Sequence, residues 1–444
     1  MQKKLLLRIV VVALLIIILL IPLGMIQGVV SERQILQHQV DATVASSFAG
    51  TQRLTGPLLV IAYIEREILT VTDDKGKQSQ QAIDHSRQVF VPPEELTYEG
   101  SADVEEKYKG IYKTLVYQAK GVWKARFVVP ANLGLAASPS MLTPGNAFLA
   151  FGLSDVRGLS RSPKIIWSGR EISAVSGTNF EALGDGLHAD IGTLDIREAQ
   201  RYEVTANIDM GGTRSLAFVP IGNSTIVQLR AGWPHPSFGG RFLPQTKQID
   251  EKSFSARWEI SHLASKNGDL LRRGLKNTDS QSLEAFDVSF VEPVNIYQQA
   301  ERAVKYGILF VALTFAAFFL FETLKDLRIH PLQYGLVGLA LAVFFLLLVS
   351  LSEHTSFFNA YVAASTACVL LIGYYLSHVL GGWRHGAAFA TQLAMLYAIL
   401  YGLLLSEDNA LMLGSLLLFF VLAAIMILTR RINWYQLGSD RIAV

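Results

Sequence analysis

The chain has 444 residues, 39 Lys and Arg against 37 Asp and Glu for a net charge of +2, and 51% hydrophobic residues. This near-neutral balance gives no electrostatic case for a nucleic-acid partner, and a single cysteine, Cys368, excludes an intrachain disulfide and any cysteine-based zinc site. The apolar residues crowd into the first thirty positions and the stretch from 303 onward, whereas residues 31–302 have the mixed composition of a soluble domain.

The chain opens with "MQKKLLLRIVVVALLIIILLIPLGMIQ", in which Lys3, Lys4 and Arg8 precede an uncharged run from Ile9 to Ile26. That run is long enough to cross the hydrocarbon as a helix, with Pro22 near its outer end. A secretory signal is the competing reading, but it wants a shorter apolar core and a small-x-small cleavage site, which "GMIQGVVSERQ" offers poorly. A retained anchor is therefore expected. In "SERQILQHQVDATVASSF", Ile35, Leu36, Val40, Val44 and Phe48 line one stripe, so a helix is predicted to continue beyond the span.

Period-two alternation dominates the middle of the chain. In "YEVTANID", Tyr202, Val204, Ala206 and Ile208 share one face; "FSARWEI" and "WKARFVV" alternate likewise. Further strands are predicted at 58–64, 88–91, 111–118, 147–151, 165–167, 227–233 and 286–291. Turn residues such as "GNST" and "MGGTR" separate them, and "LGDGLH" (Leu183 to His188) reads as a turn without the ligand pattern of a calcium loop. The expectation is a mostly antiparallel β domain.

Its most unusual segment is "AGWPHPSFGGRFLP". Prolines stiffen it, Gly239 and Gly240 let it bend, and Trp233, Phe238 and Phe242 supply apolar surface. The plain reading is a rigid connector whose aromatics plug the sheet; the functional one is a partner-binding loop, or a metal site using His235. His188, His235 and His262 lack ligand spacing, so no metal and no cofactor is expected. There is no nucleophile elbow, Walker loop or Rossmann fingerprint, and no catalytic residue is proposed.

"NIYQQAERAVKY" reads as a helix leading into five more candidate spans at 305–323, 334–351, 357–379, 387–405 and 411–429. Loop charges orient them. Lys325, Arg328, Arg384, Arg430, Arg431 and Arg441 fall on one side, whereas "SEHTS" and "SEDNA" carry no Lys or Arg, so both termini are cytoplasmic and residues 31–302 lie outside. Glu353 and His354 in "LSEHTSF", like Glu407 and Asp408 in "SEDNA", then sit in tight outer turns, exposed to water; proton handling by the Glu353/His354 pair is the rival reading. Within the spans, Glu322 is close enough to Lys325 for an i,i+3 pair, and Asn359 and Gln392 are candidates for hydrogen bonds between helices. Gly335, Gly338, Ala360, Ala363, Ala364 and Ala367 suit close helix packing.

The stretches "LLIPLGMIQGVVSER", "GPLLVI", "KGIYKTLVYQAKG", "SDVRGL", "WPHPSFGGRFLP", "ERAVKYGILFVALTFAAFFLFETL", "RIHPLQYGLVGLALAVFFLLLVSLSEHTSF" and "RRINWY" together resemble the CreD family, the inner-membrane cell envelope integrity proteins of Gram-negative bacteria. The resemblance implies an inner-membrane protein with a large periplasmic domain, in some cells under a two-component regulator, and supplies no catalytic residues.

The expected fold class is thus an α+β membrane protein, six transmembrane helices with a large, mostly antiparallel β periplasmic domain inserted between helices 1 and 2. Its parts are an anchor (1–30), a periplasmic domain (31–302), a five-helix domain (303–429) and a cytoplasmic tail (430–444). The expected role is non-enzymatic, with the lipid bilayer and another envelope protein or component as partners. The alternatives are a transporter or channel accessory, with Asn359 and Gln392 lining a path, and a periplasmic hydrolase acting on envelope polymer or lipid.

Overall fold

A computed structural model describes residues 2–72, 78–135, 141–273, 282–292, 295–325, 329–380, 382–406 and 409–430. The chain divides into two compact units, one of residues 1–37 with 294–444 and one of residues 38–293. The apolar opening run and the amphipathic stretch after it wind into one helix, α1 (Gln2–Ser47), with Pro22 inside it.

Alternating sequence builds the β unit. Its strands are β1 (Gln52–Thr72), β2 (Gln78–Val91), β3 (Glu95–Lys109), β4 (Tyr112–Val129), β5 (Leu142–Leu153), β6 (Lys164–Trp167), β7 (Arg170–Ile172), β8 (Val175–Ser176), β9 (Gly186–Thr193) and β10 (Gln200–Thr213). There follow β11 (Ser215–Val219), β12 (Ser224–Ala231), β13 (Pro236–Gly240), β14 (Thr246–Ile249), β15 (Phe254–Ser261), a short helix α2 (Asn267–Arg273) and β16 (Phe286–Phe290).

Among the described residues these form two sheets. The first runs β13-β16-β11-β1-β5-β9-β8, with β2 also on β1; the second runs β14-β15-β12-β3-β4-β10-β6-β7. Two pairings are parallel, β1 with β11 and β3 with β12. The others are antiparallel, for example β1 with β5 and β4 with β10. Leu58 to Ile61 of β1 are all fully buried, as a continuous apolar run in a central strand should be. The sheets meet through aromatic rings: Phe218 of the first lies 4.8 Å from Tyr98 and 6.2 Å from Trp123 of the second, and Phe286 stacks on Trp258 at 5.1 Å.

Two predicted turns are partly strand. "MGGTR" does not end β10, which continues through Gly211 and Gly212 to Thr213. The glycines are there for close approach: a Cβ on Gly211 would lie 2.6 Å from Phe48 Cζ, and one on Gly212 2.4 Å from the Tyr117 hydroxyl. In "LGDGLH" only the beginning turns, and β9 starts at Gly186 and contains His188.

The helical unit adds α3 (Ile296–Lys325), α4 (Pro331–Ser352), α5 (Phe357–Val379), α6 (Trp383–Leu405) and α7 (Ala410–Thr429). Pro331 sits in the first turn of α4 behind an His330 cap, where its missing N–H costs nothing. Among the described residues five helices, α1 and α3 to α6, are long and apolar enough to cross a membrane; α7 contributes a shorter apolar stretch, Leu411–Ile427. Their core is aromatic, with Tyr397 4.5 Å from both Phe310 and Phe344. Of the predicted small-residue contacts, Gly338, Ala360 and Ala364 are buried, whereas Ala363 and Ala367 are exposed on α5.

Candidate functional site

A polar constellation of the helical unit is built from α1, the start of α3 and the end of α4. Asn295 caps α3, its Oδ1 accepting from the backbone N–H groups of Tyr297 (2.9 Å) and Gln298 (3.3 Å), while its Nδ2 donates to Gln37 of α1 (3.3 Å). One turn on, Glu301 accepts from Gln34 Nε2 (3.0 Å) and pairs with Lys305 (2.8 Å).

Glu353 completes the cluster as the C-cap of α4. Arg33 Nε of α1 lies 3.3 Å from its Oε1, and the Tyr297 hydroxyl donates to the same oxygen at 3.4 Å. The Glu353 side chain is only 10% exposed. This corrects the expectation that both residues of the turn face water. A carboxylate at a helix C-terminus opposes the helix dipole, and the guanidinium of α1 offsets that cost and covers the group.

His354 does stand exposed, its backbone N–H closing the turn on Leu351 at 3.1 Å. Among the described residues no hydrogen bond joins it to Glu353. The carboxylate and imidazole adjacent in sequence are not an assembled acid/base pair. Glu407 and Asp408 of the matching loop lie outside the described residues, as do Arg328, Arg431 and Arg441.

Deeper in the helices, Glu322 is 4% exposed and accepts from the Tyr334 hydroxyl at 2.6 Å. The side chain of Lys325, its expected partner, lies outside the described residues. Asn359 is exposed on α5, and Gln392 lines a largely apolar groove of about 280 Å³ with Thr314 and residues of α3, α6 and α7; Asn359 is not part of it.

In the β unit, the segment from Trp233 to Phe242 contains β13 (Pro236–Gly240), at the edge of the first sheet. Trp233 Nε1 donates to the Val291 carbonyl at 3.0 Å, and Val291 N–H donates to the His235 carbonyl at 3.1 Å. Phe238 packs edge-on to Phe254 and Trp258, and Phe242 to Phe286, while His235 points its ring at Trp233 in the open. His188 is buried and satisfied: Asn179 Nδ2 is 3.0 Å from its Nε2 and the Gly177 carbonyl 2.5 Å from its Nδ1. Among the described residues no three His, Cys, Asp or Glu side chains gather as metal ligands.

A second constellation, unforeseen from sequence, lies within the β unit where the last turns of α1 meet β1. Asp155 accepts from Gly50 N–H (3.0 Å) and from Arg157 through its backbone N–H (3.1 Å), Nε (2.9 Å) and Nη2 (2.6 Å). Arg157 Nη1 also donates to the Ser46 carbonyl at 2.6 Å, and Arg214 pairs with Asp41 at 3.1 Å. The Arg157 guanidinium, ahead of the backbone donors, pulls the Asp155 carboxyl down to about 2.

Against known proteins, residues 4–435 match the family model of the inner membrane protein CreD. The chain belongs to the CreD family. It is 37% identical over 425 residues to the inner membrane protein CreD of Escherichia coli K12, an alignment that covers 95% of this chain and 92% of that protein. Likeness to solved structures is slight: a putative nutrient binding protein of Legionella pneumophila matches with a TM-score of 0.26 at 8% identity, over 60% of this chain and 79% of that one. The M1 zinc metallopeptidase of Deinococcus radiodurans matches with a TM-score of 0.21 at 9% identity, over 45% and 42%. In this CreD-family chain, Glu353 and His354 were singled out by sequence, but Arg33 and Tyr297, which hold Glu353, were not. An arginine just past an apolar span and a tyrosine at the next span's mouth were the only signals that a carboxylate between spans has partners.

Proposed function

We propose that the protein is a six-span inner-membrane protein with both termini cytoplasmic, residues 31–302 periplasmic, and a non-catalytic role in cell envelope integrity. In this reading the β unit binds another envelope component and the helices hold it in place. The observation that carries it is the near full-length match to CreD of Escherichia coli, a protein named for the inner membrane. The one-sided loop cations support the orientation, with α7 as the sixth span despite its shorter apolar stretch. The envelope-integrity role rests on the family resemblance alone.

The test is photo-crosslinking in living cells from Leu243 and Leu263, large apolar side chains of the β unit that are 70% and 86% exposed. The expected result is a discrete periplasmic or envelope-bound adduct, lost when that partner is deleted, in cells whose detergent resistance depends on this chain. A chain that restores detergent resistance to a deletion strain while capturing nothing from either position would overturn the reading.

A further inference from the structure

The solvent face of the second sheet carries rows of side chains that the strand register sets side by side. Most of its cations are matched to carboxylates. Arg126 lies 3.3 Å from Glu95 and 4.0 Å from Glu203, Lys124 3.9 Å from Glu99, Arg257 3.3 Å from Glu259, and Arg161 2.7 Å from Asp209. One row changes character along its length. At one end Asp209 of β10 is opposite Lys120 of β4 and Lys120 opposite Ser101 of β3, but beyond them Ser101 is opposite Arg230 of β12, Arg230 opposite Ser255 of β15, and Ser255 opposite Gln248 of β14. Direct partners in a sheet project to the same face. Around Arg230, therefore, the register supplies two hydroxyls and an amide, but no anion.

Over this row, where β12 and β14 end and β15 begins, opens a groove of about 480 Å³ lined by Arg230, Ser101, Ser255 and Gln248 together with Asp103 and Asp250. That volume is in the range of small-molecule sites. Among the described residues, neither carboxylate approaches Arg230 within the 4.0 Å of an ion pair. Arg230, Asp103 and Asp250, all exposed, thus share one groove without pairing with one another.

We propose that this groove binds a short peptide with free ends. Arg230 offers a planar fork to the peptide carboxylate, Asp103 and Asp250 offer anions to its ammonium, and Ser101, Ser255 and Gln248 supply neutral donors and acceptors to its amides. A ligand of both charges satisfies all three groups at once, which a simple anion or cation does not. This site goes beyond the role proposed above and does not depend on membrane topology.

The probe is trialanine, titrated calorimetrically into the full-length protein in detergent, beside its carboxyl-amidated and N-acetylated forms. Trialanine is expected to bind, and amidation or Arg230→Gln each to weaken it at least about tenfold, with Arg230→Gln causing no further loss for the amidated peptide. Asp103→Asn with Asp250→Asn should abolish the preference over the N-acetylated form. Arg230→Lys keeps the charge without the fork and serves if the glutamine variant misfolds; it should also weaken binding. Absence of saturable binding up to about 10 mM, or binding indifferent to Arg230 and to amidation, would overturn the proposal while leaving the family and topology readings standing.

Discussion

Removing the Glu353 charge tests whether the cluster around it locks α1 to α3 and α4. At 3.3 Å and an effective dielectric constant of about 20, the Arg33–Glu353 attraction is ~5 kcal/mol. Glu353 has given up most of its hydration and Arg33 remains 39% exposed, so the net coupling should be about 1–2 kcal/mol, between exposed and fully buried pairs. Cys368, the chain's single cysteine, is 4% exposed and reports opening of the helical unit through its reaction with a thiol-specific fluorophore. Glu353→Gln should speed that reaction about 5–30-fold, since it removes the charge that attracts Arg33 while keeping the bond from Tyr297. Arg33→Gln should do the same, and the double variant should be little worse than either. Strictly additive effects, with coupling under about 0.3 kcal/mol, would refute the argument and return the loop to a simple solvent-exposed turn.

Asp155 predicts an acid-sensitive β unit. Its carboxyl, held at about 2 chiefly by Arg157, stabilises the fold above the unfolded value of 3.8 and loses that contribution as pH falls through about 2. Discounted for the exposure of Arg157, Asp155→Asn should cost about 1–2 kcal/mol in denaturant unfolding at pH 7, and the difference from the parent protein should shrink between pH 4 and pH 2. Gly338→Leu should destabilise the helical unit by about 1–3 kcal/mol, read as faster Cys368 labelling, because a Cβ there already lies 2.2 Å from Leu19 Cδ1 and 2.8 Å from Phe315 Cζ. Gly335→Ala, whose nearest neighbour is Leu15 Cδ2 at 3.9 Å, should be close to neutral.

The sequence was legible wherever one physical term dominates. Apolar run length located α1 and α3 to α6, and clean alternation located β10, β15 and the second half of β4, because half-buried strands must put every second residue inside. Strand β3 was missed: "ELTYEGSADVEEKYK" carries charges on its open face and, beyond Val104, on both, so its burial is set by neighbouring strands rather than by its own pattern. The glycines of "MGGTR" looked like punctuation because the rings that need their space, Phe48 and Tyr117, are far away in sequence. Sites were harder still. Glu353 drew attention by sitting between spans, but its partners Arg33 and Tyr297 are 320 and 56 residues away, and the row through Arg230 exists only once β3, β12, β14 and β15 are in register.

The central claim, a six-span inner-membrane protein with its β unit outside, is tested most directly by reporter fusions along the chain. Enzyme fusions active only in the periplasm should be active after residues 280 and 408 and silent after 328, 384 and 436, where cytoplasmic reporters should be active instead. A periplasmic signal after residue 384, or a cytoplasmic one after residue 280, would contradict it.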